Sequence, residues 1–251
     1  MSFEDFIANI NEEDFKRLTE EFYKRQNRIP TYSYSKIKDS DLRELFSIKE
    51  RIDKEIFDNW FDNSIVLESD TIEFLEKLLE EESVFIKKYN EEDLKVNFII
   101  PILNRVNFKM IDIEIRAFYE GSLSYKTERF ILQGTPDFFV AKGLFFSEKP
   151  YFFIQEFKKG RYGLDPEPQL LAELISAVEL NDFSSMRGAY IVGGIWNFVI
   201  LQKIEVDRYE YFVSPNFDST KIDDLQGIYR NLIFVKNEIK LTLRNLSTAV
   251  C

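Results

Sequence analysis

Polar and apolar positions change rhythm twice along the chain. Residues 1–90 carry helical spacings: over 41–61, Leu42, Leu45, Phe46, Ile52, Ile56 and Trp60 recur with charges between them, which predicts an amphipathic helix. Asp70 and Glu73 stand three apart, as at a capped helix start, and Ile72, Leu75, Leu78, Leu79 and Phe85 follow as its apolar stripe. A further helix is predicted over 90–105, its acids Glu91, Glu92 and Asp93 crowding the positive end of the helix dipole. Pro101 falls inside that pattern and should kink or end it.

From about Lys109 the period falls to two. Residues 110–116 and 129–133 alternate apolar and polar, and 136–141 and 151–157 are short aromatic and β-branched runs bounded by Gly or Pro. A helical run over 168–180 follows, then strands over 189–192 and 197–203 with Gly193 and Gly194 as turn material between them. Residues 209–213 read as an edge strand, and Leu225, Ile228, Tyr229, Leu232, Val235 and Ile239 stripe a last helix over 222–245. The expected fold class is α/β (α+β), a central mixed β-sheet flanked by helices. Residues 1–89 would form a helical N-terminal extension packed on a core of residues 90–251.

Composition narrows the chemistry. The chain has 251 residues, a formal charge of −11, no His and a single cysteine, Cys251. No His means no imidazole base, no Ser-His or Cys-His catalysis and no His-ligated zinc. One terminal Cys means no disulfide framework. Any catalytic metal should be a hard, oxygen-loving ion such as Mg²⁺ or Mn²⁺. The start of the chain is acidic, without a basic-then-apolar signal layout, and no apolar run reaches the ~18–20 residues of a spanning helix. These features predict a cytoplasmic protein without membrane contact. The negative charge argues against indiscriminate binding to nucleic acid and leaves room for a local basic groove.

One constellation carries chemistry. Asp137, in Gly134-Thr-Pro-Asp137, opens one predicted strand, and after eighteen intervening residues Glu156-Phe157-Lys158 closes the next. The two-residue period points Glu156 and Lys158 to one face and Phe157 to the other. If the strands pair, Asp137 comes within metal-sharing distance of Glu156. Converging carboxylates are best satisfied by a divalent cation, which can polarise a phosphodiester and acidify a bound water. A neighbouring Lys can orient that water and stabilise developing charge.

These residues resemble the PD-(D/E)XK nuclease superfamily: Pro136-Asp137, then Glu156-Phe157-Lys158. The order of elements from residue 90 to 192 is similar to that family's core, so the resemblance implies a restriction-endonuclease-like fold and Mg²⁺- or Mn²⁺-dependent cleavage of nucleic acid, DNA in preference to RNA. It implies Asp137 and Glu156 as metal ligands, the Phe157 carbonyl as another, and Lys158 as the assistant of the attacking water. Members related to the nuclease domains of restriction motor subunits often carry a Glu about ten residues ahead of a Pro on the preceding helix, and Glu91 with Pro101 has that layout. Many carry a Gln facing the site from the following helix, where Gln169 stands here. The Tyr expected four residues later in one branch is Glu173 in this chain. Residues 188–201 look like the strand-turn-strand that follows in many bacterial members. A restriction or phage-defence setting is consistent with this resemblance.

Lys142, Lys159, Arg161 and Tyr162 are the expected nucleic-acid contacts, by phosphate pairing or base stacking, and 160–165 reads as a Gly-flanked flap. The alternative is a catalytically inactive module on the same fold, acting in protein binding or assembly. Its N-terminal helices would dock a protein partner or a second copy as a homodimer.

Overall fold

The computed structural model describes residues 10–26, 29–53, 55–158 and 165–248. Its helices are α1 (Glu12–Gln26), α2 (Asp39–Leu45), α3 (Asp58–Phe61), α4 (Ser69–Ile86), α5 (Glu91–Leu94), α6 (Ile100–Val106), α7 (Pro166–Asn181) and α8 (Ile222–Thr248). Its strands are β1 (Thr31–Ser33), β2 (Ser47–Glu50), β3 (Ile115–Tyr119), β4 (Leu123–Lys126), β5 (Ile131–Gly134), β6 (Phe138–Lys142), β7 (Glu148–Lys158), β8 (Ser185–Val192), β9 (Ile195–Glu205), β10 (Arg208–Val213) and β11 (Phe217–Asp218).

The protein is a mixed α/β structure with a large mixed sheet flanked by helices. The strand order is β2-β10-β9-β8-β7-β6-β3, with β11 on β9. Its middle is antiparallel from β3 through β6 to β7, and then parallel from β7 to β8, with α7 as the crossover. A second sheet, β1-β5-β4, has three strands.

One face of the large sheet buries Phe153, Phe157 and Phe198 against α4, α6 and α8. The other buries Ile154, Val199 and Leu201 against α7. α7 is a middle layer, packed on β7 and β8 on one side and on β4 and the Tyr34 turn on the other. That position explains its sequence: over 168–178 the helix is buried all round and mostly apolar, with Leu170, Leu171, Leu174, Ile175 and Val178. Gly188 on β8 allows the approach, since a Cβ there would lie 2.9 Å from the Ile154 carbonyl and 3.1 Å from Leu170.

Several sequence expectations are corrected. The helix predicted over 41–61 is broken into α2, β2, a 3₁₀ turn over Glu55–Phe57 and α3. Ile52, counted in its apolar stripe, is 94% exposed. β2 instead pairs in parallel with β10, so β10 is interior and not an edge strand. The strand predicted over 110–116 is a 3₁₀ turn over Ile111–Ile113, reversed at Glu114 (φ +55°), with β3 starting at Ile115. α4 is capped at Glu68, two residues before the expected Asp70, which instead pairs with Arg105 at 2.6 Å. Pro101 stands inside a helical run that continues from Glu91 to Val106, and the regular α-helix is interrupted just ahead of it, as expected. The residues ahead of it, Lys95–Ile99, form a π-helical turn.

Candidate active site

The site lies where β6 has just begun and β7 ends. Phe138 pairs with Gln155, so Asp137 stands opposite Glu156, one step beyond the ladder. The backbone donors there have no strand partner, and the two acids take them reciprocally. Asp137 N–H donates to Glu156 Oε1 at 3.1 Å, and Phe157 N–H donates to Asp137 Oδ2 at 2.9 Å. Each carboxylate is thus locked by the other's strand.

Lys158 sits at the strand end with its Nζ 3.7 Å from Glu156 Oε2 and 3.6 Å from Glu91. Burial pulls its pKa down, but Glu156, Asp137 and Glu91 outweigh that and hold it above the ordinary lysine value. Glu91 opens α5, whose cap is Asn90, accepting from Asp93 N–H at 2.8 Å. Its carboxylate therefore serves the helix dipole and faces Lys158 as well. The carbonyl of Phe157 belongs to the strand edge vacated by β6, beside Asp137.

Glu156 is fully buried, and its Oε2 has no N–H donor. On α7, Glu173 faces it within hydrogen-bonding reach and is fully buried too, with no N–H donor to its own Oε2. Gln169, one turn earlier and 7% exposed, donates to Glu173 Oε1 at 3.1 Å. Desolvation, with Asp137 adding repulsion, pushes the Glu173 carboxyl up to about 8. Glu156 is likewise raised well above the carboxylate range, first by burial and then by the charges of Glu173 and Asp137.

Lys95 completes the charge balance. It begins the π-helical turn, is buried, and pairs with Glu120 at 2.5 Å and with Asp137 Oδ1 at 3.6 Å. Glu120 (φ +51°) is anchored by its own N–H to the Asp137 carbonyl at 3.2 Å. The widened turn aims a lysine inward from a helix whose neighbours Leu94, Phe98 and Ile99 are core residues.

The structure therefore gathers Asp137, Glu156, Phe157, Lys158, Glu91 and Gln169 at one end of the sheet. It places Lys142 elsewhere, at the far end of β6, roughly 17 Å along the strand, 3.9 Å from Glu114. Lys159, Arg161, Tyr162 and most of the expected flap over 160–165 lie outside the described residues. Lys95, Glu120 and Glu173 were not predicted as site members. The signal for Glu173 is a second polar side chain four residues after Gln169 on an otherwise apolar helix. For Lys95 it is a charge on the helical stripe of Leu94, Phe98 and Ile99.

A hard divalent cation suits this donor set, which is all oxygen and includes two buried carboxylate oxygens without an N–H donor. Among the described residues no three acids are arranged to cage an ion by themselves. Mg²⁺ commonly uses one or two carboxylates and keeps several waters. A cavity of about 530 Å³ opens beside the site, lined by Lys87, Lys88, Tyr89, Leu94, Gly193 and Gly194. Gly193, at φ +61°, joins it to β7 by donating to the Lys158 carbonyl at 2.9 Å.

No protein-family model and no curated protein matches the chain. Among solved structures, a chain of the DrdV–DNA complex, determined by cryo-electron microscopy, is similar with a TM-score of 0.36 and 13% sequence identity. The match covers 66% of this chain and 14% of the length of the other. Among the described residues no helix is long and apolar enough to cross a membrane.

Proposed function

We propose that the protein is a metal-dependent nuclease that hydrolyses phosphodiester bonds of nucleic acid, DNA in preference to RNA. The observation that carries this reading is the reciprocal lock of Asp137 and Glu156 at the end of the sheet, with the Lys158 ammonium 3.7 Å from Glu156. Asp137, Glu156 and the Phe157 carbonyl would hold Mg²⁺ or Mn²⁺, with Glu91 beside them. When bound, such an ion polarises the phosphodiester and lowers the pKa of a coordinated water. Lys158, kept protonated by the surrounding acids, acts as a fixed positive charge on the phosphate and orients the attacking water. Gln169 holds Glu173 in place behind them. Lys159, Arg161 and Tyr162, next along the chain, are the proposed contacts to the phosphate backbone.

The test is incubation of the full chain with single- and double-stranded DNA and RNA in Mg²⁺ or Mn²⁺. We expect cleavage that EDTA abolishes and that Glu156→Ala and Lys158→Ala each reduce by about 10²-fold or more. Equal cleavage by the variants would assign the activity to a contaminant, and no cleavage of any substrate would overturn the reading.

A second reading, an inactive nuclease-fold module in protein binding or assembly, is favoured by two observations. Lys95 already gives Asp137 an internal counter-charge. On α1, Phe15 and Leu18 stand exposed three residues apart on an amphipathic helix. Under that reading Mn²⁺ does not bind the protein, and variants of α1 alter its association state.

A further inference from the structure

We infer that Glu173 is a carboxylate ligand in the seat of the divalent cation, beside Glu156; this rests on the metal-dependent reading above. Asp137, a ligand in that reading, has one contact on each oxygen, Oδ2 with the Phe157 N–H and Oδ1 with the approaching Lys95, and offers an ion only its remaining lone pairs. Glu156 has one oxygen committed, to the Asp137 N–H, and its Oε2 is buried with no N–H donor, while its carboxyl lies within hydrogen-bonding reach of that of Glu173. Glu173 repeats this pattern from the opposite layer: Oε1 is fixed by the Gln169 amide, and Oε2 is buried with no N–H donor, its carboxyl set against that of Glu156. So a strand and a helix bring two buried carboxyl groups against one another, close enough to share a single proton when no cation is present.

An unpaired polar atom in the interior costs as much as a lost hydrogen bond, and more when it carries charge. The ammonium of Lys158 stands 3.7 Å from Glu156 Oε2, beyond hydrogen-bonding distance. Lys95 approaches the site from the side of Asp137. A small hard dication would displace that shared proton and meet both carboxylates at once, completing its shell with water and a substrate phosphate oxygen. Gln169 is then a positioning residue: by fixing Oε1 it aims Oε2, as outer partners of metal ligands do.

The experiment is calorimetric titration of the full chain with Mn²⁺, repeated by the electron paramagnetic resonance of free Mn²⁺. Wild type should bind the ion. Glu173→Gln, isosteric and uncharged, should weaken binding about tenfold or more while circular dichroism stays unchanged. Glu173→Asp, charged but one methylene shorter, should fall between. Should Glu173→Gln fail to fold, Gln169→Leu must still weaken Mn²⁺ binding, because the carboxylate then loses its aim. Wild-type affinity in Glu173→Gln, or in Gln169→Leu if that variant has to serve, overturns the assignment, as does absence of Mn²⁺ binding by wild type. Cleavage by wild type with undiminished Mn²⁺ affinity in Glu173→Gln removes the ligand role and leaves the nuclease reading standing. Loss of Mn²⁺ binding in Glu173→Gln, with no cleavage by wild type, leaves the ligand role and removes the nuclease.

Discussion

Glu156 and Glu173 are buried without exposure and face one another across the space between β7 and α7. Each holds its proton to higher pH in the folded chain than in the unfolded one. Glu173 moves from an ordinary value of 4.5 to about 8, through desolvation first. Between those two pH values the native state therefore binds more protons than the unfolded state, so stability falls as pH rises. The contribution is fully present below about pH 4.5 and lost by about pH 8. We predict that the metal-free protein, kept in EDTA, loses on the order of a few kcal/mol of unfolding free energy over this window. Glu173→Gln should flatten the decline and be the more stable protein at pH 8. Denaturant titrations at several pH values decide it: a wild-type curve as flat as that of the variant would refute the claim. None of this was visible in the sequence, where Glu173 registered only as a departure from an expected Tyr. Spacing shows that a residue shares a face with Gln169, but not that β7 closes over that face and removes the water.

At the scale of elements, α7 keeps the site in register because both its ends are tied. Its N-terminus is capped by Asp165, which accepts from Glu167 N–H at 3.0 Å. Its last residue, Asn181, clamps the beginning of β7: Tyr151 N–H donates to Asn181 Oδ1 at 2.9 Å, and Asn181 Nδ2 donates to the Tyr151 carbonyl at 2.6 Å. Asn181→Ala should leave two half-buried backbone groups without partners and cost about 1–3 kcal/mol, read as a fall in thermal midpoint with the fold retained. A change within error would mean water replaces the clamp. The elements legible in the sequence are those whose pattern is long. α4 and α8 carry apolar stripes over several turns, α7 is apolar over its whole length bar a few positions, and the aromatic and β-branched run before Glu156 places it correctly at the end of β7. β2 was hidden because its four residues sit between helical stretches and owe their extended form to the backbone of β10, far away in sequence. Local periodicity carries no trace of such a partner. The π-helical turn at Lys95 is invisible for a related reason, since Leu94, Phe98 and Ile99 fit an ordinary helix equally well.

For the whole molecule, the question is whether residues 1–89 could be removed to leave a working core. Their strands lie within both sheets: β1 pairs with β5 over Thr31–Ser33, and β2 pairs with β10 over Ser47–Glu50. Phe46 packs edge-on against Phe130 at 5.3 Å and against Tyr209 at 5.4 Å. On the other face Trp60 and Phe61 pack on Phe198, and the Trp60 indole donates to the Asn231 carbonyl at 2.9 Å. Removal would uncover these aromatic rings and bare the edge of β10, a template for pairing with other chains. Burial of each such side chain is worth about 1.5–3 kcal/mol, and a domain retains only about 5–15 kcal/mol in total. Uncovering the three rings left behind, Phe130, Tyr209 and Phe198, therefore costs about 4.5–9 kcal/mol, enough to cancel most of the stability of the remainder. We predict that a fragment of residues 90–251 shows no cooperative unfolding transition and associates in solution, whereas the full chain unfolds in a single step. A cooperative transition of the fragment within a few degrees of the full chain would show that residues 1–89 are an appendage, and that the core closes its own sheet edge without β2.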